Sequence, residues 1–153
     1  FTITNGLAEH GGGLNLQDIS GLIIDDVIIS NNVANRNGGG LYTYVNGPGC
    51  GNDCVTLDLR VNNTIFSNNF SYGDEQPNWW VIDGGGGAYI AYSNIILNNV
   101  QFTENSAVLY RGGGLTVTEY STATLNDTYF SANSGGGLIT YTYIIIACCD
   151  CFY

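Results

Sequence analysis

The chain has 153 residues, with 13 acidic residues against three arginines and no lysine, so its formal net charge is −10. This charge excludes a nucleic-acid partner, because phosphate binding needs a basic surface. The length suffices for one domain with a sizeable core, and no apolar run is long enough to span a bilayer as a helix. We therefore predict a single segment over residues 1–153 with no membrane span.

A Gly-Gly-Gly-Leu motif recurs along the chain. Its copies are Gly11–Leu14, Gly38–Leu41, Gly112–Leu115 and Gly135–Leu138, and Gly85–Ala88 has Ala in the last place. A second motif precedes four of these glycine runs and reads apolar, two Asx, two variable residues, Ile or Phe, Ser or Thr, any residue, Asn. It occurs at residues 24–32, 61–69, 97–105 and 125–133. Such repeats determine the architecture of the whole chain.

In chain order, residues 1–10 read as an incomplete repeat, with Asn5 in the asparagine position. The first full repeat covers residues 11–37, with predicted strands Leu14–Gln17, Gly21–Ile24 and Val27–Ile29. The second covers 38–83 and contains two loop insertions, at about 46–54 and 72–83. The others cover 84–111, 112–134 and the residues from 135 onward. The sequence contains no Met, so we expect part of a longer chain or assembly.

The segments between the turns are three to five residues long and rich in β-branched and aromatic residues, which is typical of strands. We predict about three strands per repeat. A hairpin sandwich would not explain why the same residue types recur at the same place in each repeat, whereas a stacked coil does. The sequence therefore predicts an all-β fold, a right-handed parallel β-helix (β-solenoid) of about five coils with two loop insertions.

Stacking turns equivalent positions into columns. One inward column follows the glycines: Leu14, Leu41, Ala88, Leu115 and Leu138. A second lies two residues on: Leu16, Thr43, Ile90, Val117 and Thr140. A third contains large side chains: Ile29, Phe66, Phe102 and Phe130. A fourth, the asparagine ladder, is predicted to link the coils through amide hydrogen bonds: Asn32, Asn69, Asn105 and Asn133.

The pairing of Gly-Gly-Gly-Leu/Ala with Phe-x-x-Asn resembles the repeats of polymorphic outer membrane proteins. In that family a Gly-Gly-Ala-[Ile/Leu/Val] motif alternates with Phe-x-x-Asn. Here the second motif is present at Phe66–Asn69, Phe102–Asn105 and Phe130–Asn133, and a third Gly replaces Ala in the first. The resemblance covers about residues 11–138. It implies a β-helix displayed at the cell surface, with an adhesive or structural role and no catalytic residue.

An enzyme is the alternative, because many parallel β-helices act on polysaccharides as lyases or glycosidases. The candidate carboxylates are Asp25, Asp26, Asp58 and Asp127. Three of them occupy the Asx-Asx turn, where Asn is found in other repeats, so they indicate turn geometry rather than proton transfer. No spaced calcium-loop signature is present either. We predict no enzymatic activity and no cofactor.

The five cysteines are Cys50, Cys54, Cys148, Cys149 and Cys151. A zinc site is disfavoured, since the two groups lie far apart in sequence with no His near them. We expect a Cys50–Cys54 disulfide in the first insertion and leave the pairing of the other three open. The odd number leaves at least one thiol free or paired outside this segment.

Aromatic side chains are the candidate contact surface. Tyr42, Tyr44 and Tyr89 alternate with inward residues and are expected to be exposed, as is Thr118, while Trp79 and Trp80 lie in the second insertion. Exposed aromatic rings stack on sugars or on another protein, whereas in the alternative reading they only cover the strands. His10 is predicted to be a solvated loop residue.

Three Asn-x-Ser/Thr motifs begin at Asn62, Asn69 and Asn126. Asn62 and Asn126 align with Asp25 in a column that should face solvent, whereas Asn69 belongs to the inward ladder. For a eukaryotic source we therefore expect sugars on Asn62 and Asn126 and a bare Asn69.

Together these features predict an extracellular or cell-surface structural or adhesive protein. We expect it to form a rod or fibre by end-to-end self-association or through neighbouring repeats. A carbohydrate-binding module, with glycans as partners, is a further alternative.

Overall fold

The computed structural model describes residues 1–45, 57–73, 83–108, 112–118 and 120–140. All regular structure in these residues is β-strand, and none of them forms a helix. The strands are β1 Thr2–Thr4, β2 Leu7–His10, β3 Leu14–Gln17, β4 Leu22–Asp25, β5 Ile28–Ser30, β6 Val33–Asn37, β7 Leu41–Tyr44, β8 Leu57–Asn62, β9 Ile65–Ser67, β10 Phe70–Ser71, β11 Ala88–Ala91, β12 Ser93–Asn98, β13 Gln101–Thr103, β14 Ser106–Ala107, β15 Leu115–Thr118, β16 Thr122–Asn126, β17 Tyr129–Ser131 and β18 Leu138–Thr140.

These strands form four parallel sheets. Sheet A has the order β1-β5-β9-β13-β17 and sheet B the order β2-β6-β10-β14. Sheet C has the order β3-β7-β11-β15-β18 and sheet D the order β4-β8-β12-β16. The chain visits A, B, C and D in turn and then returns to A, so each strand pairs with its equivalent one coil away. The fold is a parallel β-helix, which confirms the predicted class.

Each of the first four coils contributes four strands rather than the predicted three. The additional strand lies in sheet B, between the asparagine ladder and the glycine run. In two coils it has only two residues, Phe70–Ser71 and Ser106–Ala107. A strand of that length leaves no alternation of polarity in the sequence, which explains why the pattern did not predict it. The predicted strands Gly21–Ile24 and Val27–Ile29 are each displaced by one residue, to Leu22–Asp25 and Ile28–Ser30.

Each type of corner between sheets contains a residue with positive φ. From D to A these are Asp26, Asn63, Asn99 and Asp127, with φ between 47° and 54°. From A to B they are Asn5, Asn31, Asn68, Glu104 and Ala132, and from C to D Asp18, Tyr92 and Tyr120. The first glycine of the run turns the chain from B to C, as at Gly38 with φ 67°. Asn5 thus aligns with Asn31, and Gly6 rather than Asn5 stands in the asparagine column.

The predicted core columns are in register. Leu41, Ala88 and Leu115 pair with one another and are at most 1% exposed. The rings of Phe66, Phe102 and Phe130 stack with centroids 4.8 and 5.0 Å apart and planes within 6°. In the last described coil, Leu138 and Thr140 pair with Leu115 and Val117 as predicted, but Leu138 is half-buried and Thr140 is exposed, since no described strand of sheet C lies beyond them.

The asparagine ladder links successive coils through side-chain and main-chain atoms together. Asn69 Nδ2 donates to Asn105 Oδ1 at 3.0 Å and to the Ile29 carbonyl at 2.8 Å. The Asn69 backbone N–H donates to the same Asn105 oxygen at 3.0 Å. Asn32 and Asn105 repeat this pattern toward Asn69 and Asn133. Because these amides are buried and satisfied, the ladder fixes the register of the coils.

The glycine run packs against this ladder and against the phenylalanine stack. A Cβ on Gly87 would lie 2.5 Å from the Gly114 carbonyl oxygen and 2.8 Å from Phe102 Cδ1. A Cβ on Gly40 would lie 3.1 Å from Asn69 Cγ. The glycine run and the Phe-x-x-Asn motif therefore pack against each other. Because the glycines have no side chains, they leave room for the phenylalanine rings and the asparagine amides.

We expect Gly87→Ala to lower the free energy of unfolding by about 3 kcal/mol or more, the upper part of the range for overpacking. Gly21 is a matched control, because it has φ +74° but no atom lies within 4 Å of its added Cβ. Gly21→Ala should cost only the left-handed backbone strain of about 1–2 kcal/mol. Urea unfolding of both variants measures the difference, and equal losses would contradict the close packing.

Candidate functional site

The outer face of sheet C carries the tyrosines that the sequence placed at the surface. Tyr42 and Tyr89 are in register, but only 7% and 5% of their surfaces are exposed, and Tyr44 is half-buried. The expected exposure of Tyr42 and Tyr89 is therefore wrong. Thr116 and Thr118, which share this outer face, are fully buried as well. Sheet C is covered on both faces, so alternation with the core does not imply contact with solvent.

These side chains form a continuous aromatic cluster. The His10 ring stacks on Tyr42 at 4.6 Å, and Tyr42 stacks on Tyr89 at 5.6 Å. Tyr44 meets Tyr92 edge-on at 5.5 Å, and Tyr92 stacks on Tyr120 at 5.9 Å. Tyr120 is 59% exposed and brings the cluster to the surface at the corner between sheets C and D. The sequence did not indicate Tyr92 and Tyr120 as part of this surface. Asp18 occupies the same corner in another coil, so no residue type recurs there to mark an aromatic column.

His10 lies in β2 and is half-buried, so its prediction as a solvated loop residue is wrong. Burial lowers the pKa of its imidazole, and the positive charge of Arg36 lowers it further, while Glu9 and Asp83 oppose the shift. Asp83 is fully buried and Arg36 is half-buried. The structure thus gathers charged side chains from separate coils beside the aromatic cluster, which no sequence motif indicated.

The shifted pKa of His10 makes folding sensitive to acid. The unfolded chain takes up a proton near the ordinary histidine value of about 6.5, whereas the folded chain takes it up only at lower pH. Stability attributable to His10 should therefore be constant above that value and fall as the pH drops below it. Urea midpoints measured between pH 7.5 and 5 test this, and His10→Gln should have the shallower pH dependence. An identical profile for the two proteins would contradict the shift.

The candidate catalytic carboxylates serve corners and polar rows. Asp26 and Asp127 hold the left-handed corner between sheets D and A, with φ 54° and 47°. Asp25 Oδ1 accepts a hydrogen bond from Asn63 Nδ2 at 3.0 Å. Asp58 Oδ1 accepts one from Asn94 Nδ2 at 3.1 Å, on an exposed part of sheet D. The four carboxylates thus either hold the backbone at a corner or accept hydrogen bonds from a neighbouring coil.

The outer face of sheet D contains an open groove of about 440 Å³. Its lining residues are Gly21, Leu22, Ile23, Asp58, Leu59, Arg60, Asn94 and Ile96. Beside it runs a row of amides in which Asn126 Nδ2 donates to Asn98 Oδ1 and Asn98 Nδ2 donates to Asn62 Oδ1, both at 2.8 Å. Asn62 and Asn126 are half-exposed, whereas Asn69 is fully buried. Asn62 and Asn126 thus reach the surface and Asn69 does not, while sugar on these residues stays a prediction.

Several predicted site residues lie outside the described part of the chain. They are Cys50, Cys54, Cys148, Cys149, Cys151, Trp79 and Trp80. The Cys50–Cys54 disulfide and the exposure of the tryptophans therefore stay predictions. Among the described residues, no group of three or more His, Cys, Asp or Glu side chains is arranged to hold a metal ion. That part of the chain also contains no helix long and apolar enough to cross a membrane.

The stacked columns define a repeat protein of the parallel β-helix class. The family model of the Chlamydia polymorphic membrane protein repeat matches residues 26–44, which include an asparagine of the ladder and one glycine run. The chain is also 36% identical over 107 residues to the probable autotransporter YfaL of Escherichia coli strain K12. That alignment covers 69% of this chain but 7% of the relative, so the chain spans a small part of that relative's length. No solved structure matches.

The resemblance to a polymorphic membrane protein repeat is thus confirmed at residues 26–44. A membrane protein repeat and an autotransporter both indicate a cell-surface or extracellular location, as the sequence predicted. Neither description names an enzyme.

Proposed function

We propose that this chain is a segment of a rigid rod at the cell surface and that its two predicted insertions serve adhesion. The observation that carries the proposal is the continuity of the phenylalanine, asparagine and glycine columns through successive coils. Such columns resist bending and shear, because each coil is bonded to the next through buried groups. A stiff support of this kind suits a protein that must project binding segments away from a membrane.

Further coils would extend the rod. Within the described residues, β1, β2, β3 and β4 each pair with a strand on one side only. Such edges accept another strand, either from neighbouring repeats of a longer chain or from a second copy stacked end to end. Sedimentation velocity and electron microscopy of the purified chain test self-association: concentration-dependent, one-dimensional stacks support it, and a monomer at all concentrations contradicts it.

Adhesion is tested by replacing each inserted segment and measuring how well the protein binds. Residues 46–54 of the first insertion or residues 74–82 of the second are replaced by short Gly-Ser linkers, and the binding of purified protein to cultured cells or to an immobilised extracellular matrix is measured. We expect binding to fall with either or both replacements while the unfolding midpoint stays near that of the parent chain. Asn94→Ala on sheet D is the matched surface control. Full binding by both linker variants would contradict the proposed role of the insertions.

A further inference from the structure

Two corners between sheets D and A have the same local structure. In each, an asparagine ends the strand, the next residue has positive φ, and a threonine follows: Asn62–Thr64 and Asn126–Thr128. The Thr64 hydroxyl donates to the Asn62 carbonyl at 2.7 Å, and the Thr128 hydroxyl donates to the Asn126 carbonyl at 3.2 Å. The two asparagines lie two coils apart in one column on the surface.

The fold does not require threonine at these corners. The equivalent positions in the other two coils are Val27 and Val100, and all four side chains are buried. At this buried position two coils have threonine, each after a strand that ends in asparagine, and two coils have valine. The coil with Asp25 and the coil with Asn98 both use valine. The two buried hydroxyls are satisfied by their bonds to the asparagine carbonyls, so the corner accepts either threonine or valine.

We propose that Asn62 and Asn126 are acceptors for N-linked sugar, and that Asn69, the third asparagine in such a motif, stays bare. N-linked sugar replaces one hydrogen of the side-chain amide and leaves one N–H and the oxygen. In the amide row on sheet D, Asn62 takes part through Oδ1, and its Nδ2 makes no hydrogen bond within the described residues. Asn126 Nδ2 donates one bond, to Asn98, which its remaining hydrogen can still supply. Both asparagines can carry sugar without losing a hydrogen bond.

Asn69 is different in each respect. It is fully buried, and both hydrogens of its Nδ2 are used, toward Ile29 and Asn105. A sugar there would remove one buried hydrogen bond and would have no space in the layer. The structure therefore divides the three Asn-x-Ser/Thr motifs into two usable acceptors and one unusable position. The two sugars would stand about 10 Å apart on one flank, from the spacing of two stacked strands.

The test is glycopeptide mass spectrometry of the protein purified from the cells that produce it, together with the variants Thr64→Val and Thr128→Val. These variants copy the valines of the other coils, remove the acceptor motif and keep the asparagine. We expect sugar on Asn62 and Asn126 in the parent protein. Thr64→Val should lose only the sugar on Asn62, and Thr128→Val only that on Asn126, each with an unchanged circular dichroism spectrum.

Two results would overturn the proposal: both asparagines unmodified in the parent protein, or sugar on Asn69 in the folded protein. The proposal rests on the surface location, since N-linked sugar is attached to exported chains. Protease accessibility on intact cells measures the location separately. An exposed chain without sugar refutes the acceptor sites alone, and a chain that proves to be inside the cell refutes the location.

Discussion

Replacing Phe102 with alanine is expected to lower the free energy of unfolding by about 3–5 kcal/mol. Phe102 has no exposed surface and lies at the centre of the stack, between Phe66 and Phe130. Truncation removes ring contacts on both sides and leaves a cavity that close-packed coils cannot refill. The loss is measured by urea unfolding followed by circular dichroism.

The matched control is Gln101→Ala, which changes the exposed neighbour on the same strand. Its effect should lie within about 0.5 kcal/mol of the parent protein. Phe102→Leu should fall between the two, because it keeps part of the buried volume. If Gln101→Ala destabilised the chain as much as Phe102→Ala, the stack would not be the core of the coil.

The columns were predictable because a β-helix converts repetition in sequence into contact in space. Ile29, Phe66 and Phe102 share a position in the repeat, and the structure pairs them directly. The same holds for the asparagine ladder, whose spacing from the phenylalanine column is constant. Residue identity at a fixed period was sufficient there, because each residue's main neighbours are its own equivalents in adjacent coils.

What covers the outside of a sheet was not predictable from the repeat. Tyr42 and Tyr89 alternate with core residues as predicted, but the outer face of sheet C is itself buried. His10 stacks on Tyr42 although it lies between Glu9 and a glycine run, with no aromatic residue near it in sequence. The repeat gives the direction of a side chain relative to the core, whereas its exposure also depends on what packs against the outside of the sheet, as His10 packs against Tyr42.

The corners show a second limit. Asn and Asp hold the left-handed conformation between sheets D and A, as their turn chemistry predicts. From A to B, however, the residue with positive φ precedes the ladder asparagine, and Glu104 and Ala132 take this conformation in two coils. The ladder positions are therefore selected for their hydrogen bonds, and the corner residue before them tolerates several side chains.

The asparagine ladder gives the second large expected effect. Asn105→Leu preserves the approximate size of the side chain but removes all of its polar atoms, and we expect a loss of about 3–6 kcal/mol. Asn105 Oδ1 accepts bonds from the backbone N–H and from Nδ2 of Asn69, both at 3.0 Å. Its own Nδ2 donates to the Phe66 carbonyl at 2.9 Å. The substitution leaves these buried groups without partners, and each unsatisfied group costs about 1–3 kcal/mol.

Asn94→Leu is the control, because it removes an amide that also links neighbouring coils but is not buried. Asn94 also bonds to side chains in both neighbouring coils, Asp58 at 3.1 Å and Thr122 at 2.7 Å, but on an exposed part of sheet D. Water can replace its bonds, so the loss should stay near 0.5–1 kcal/mol, about the net value of one exposed hydrogen bond. Similar losses for Asn94→Leu and Asn105→Leu, measured by urea unfolding, would show that burial of the ladder does not determine its contribution. A large excess for Asn105→Leu would show that the buried amides, in addition to the apolar columns, hold neighbouring coils in register.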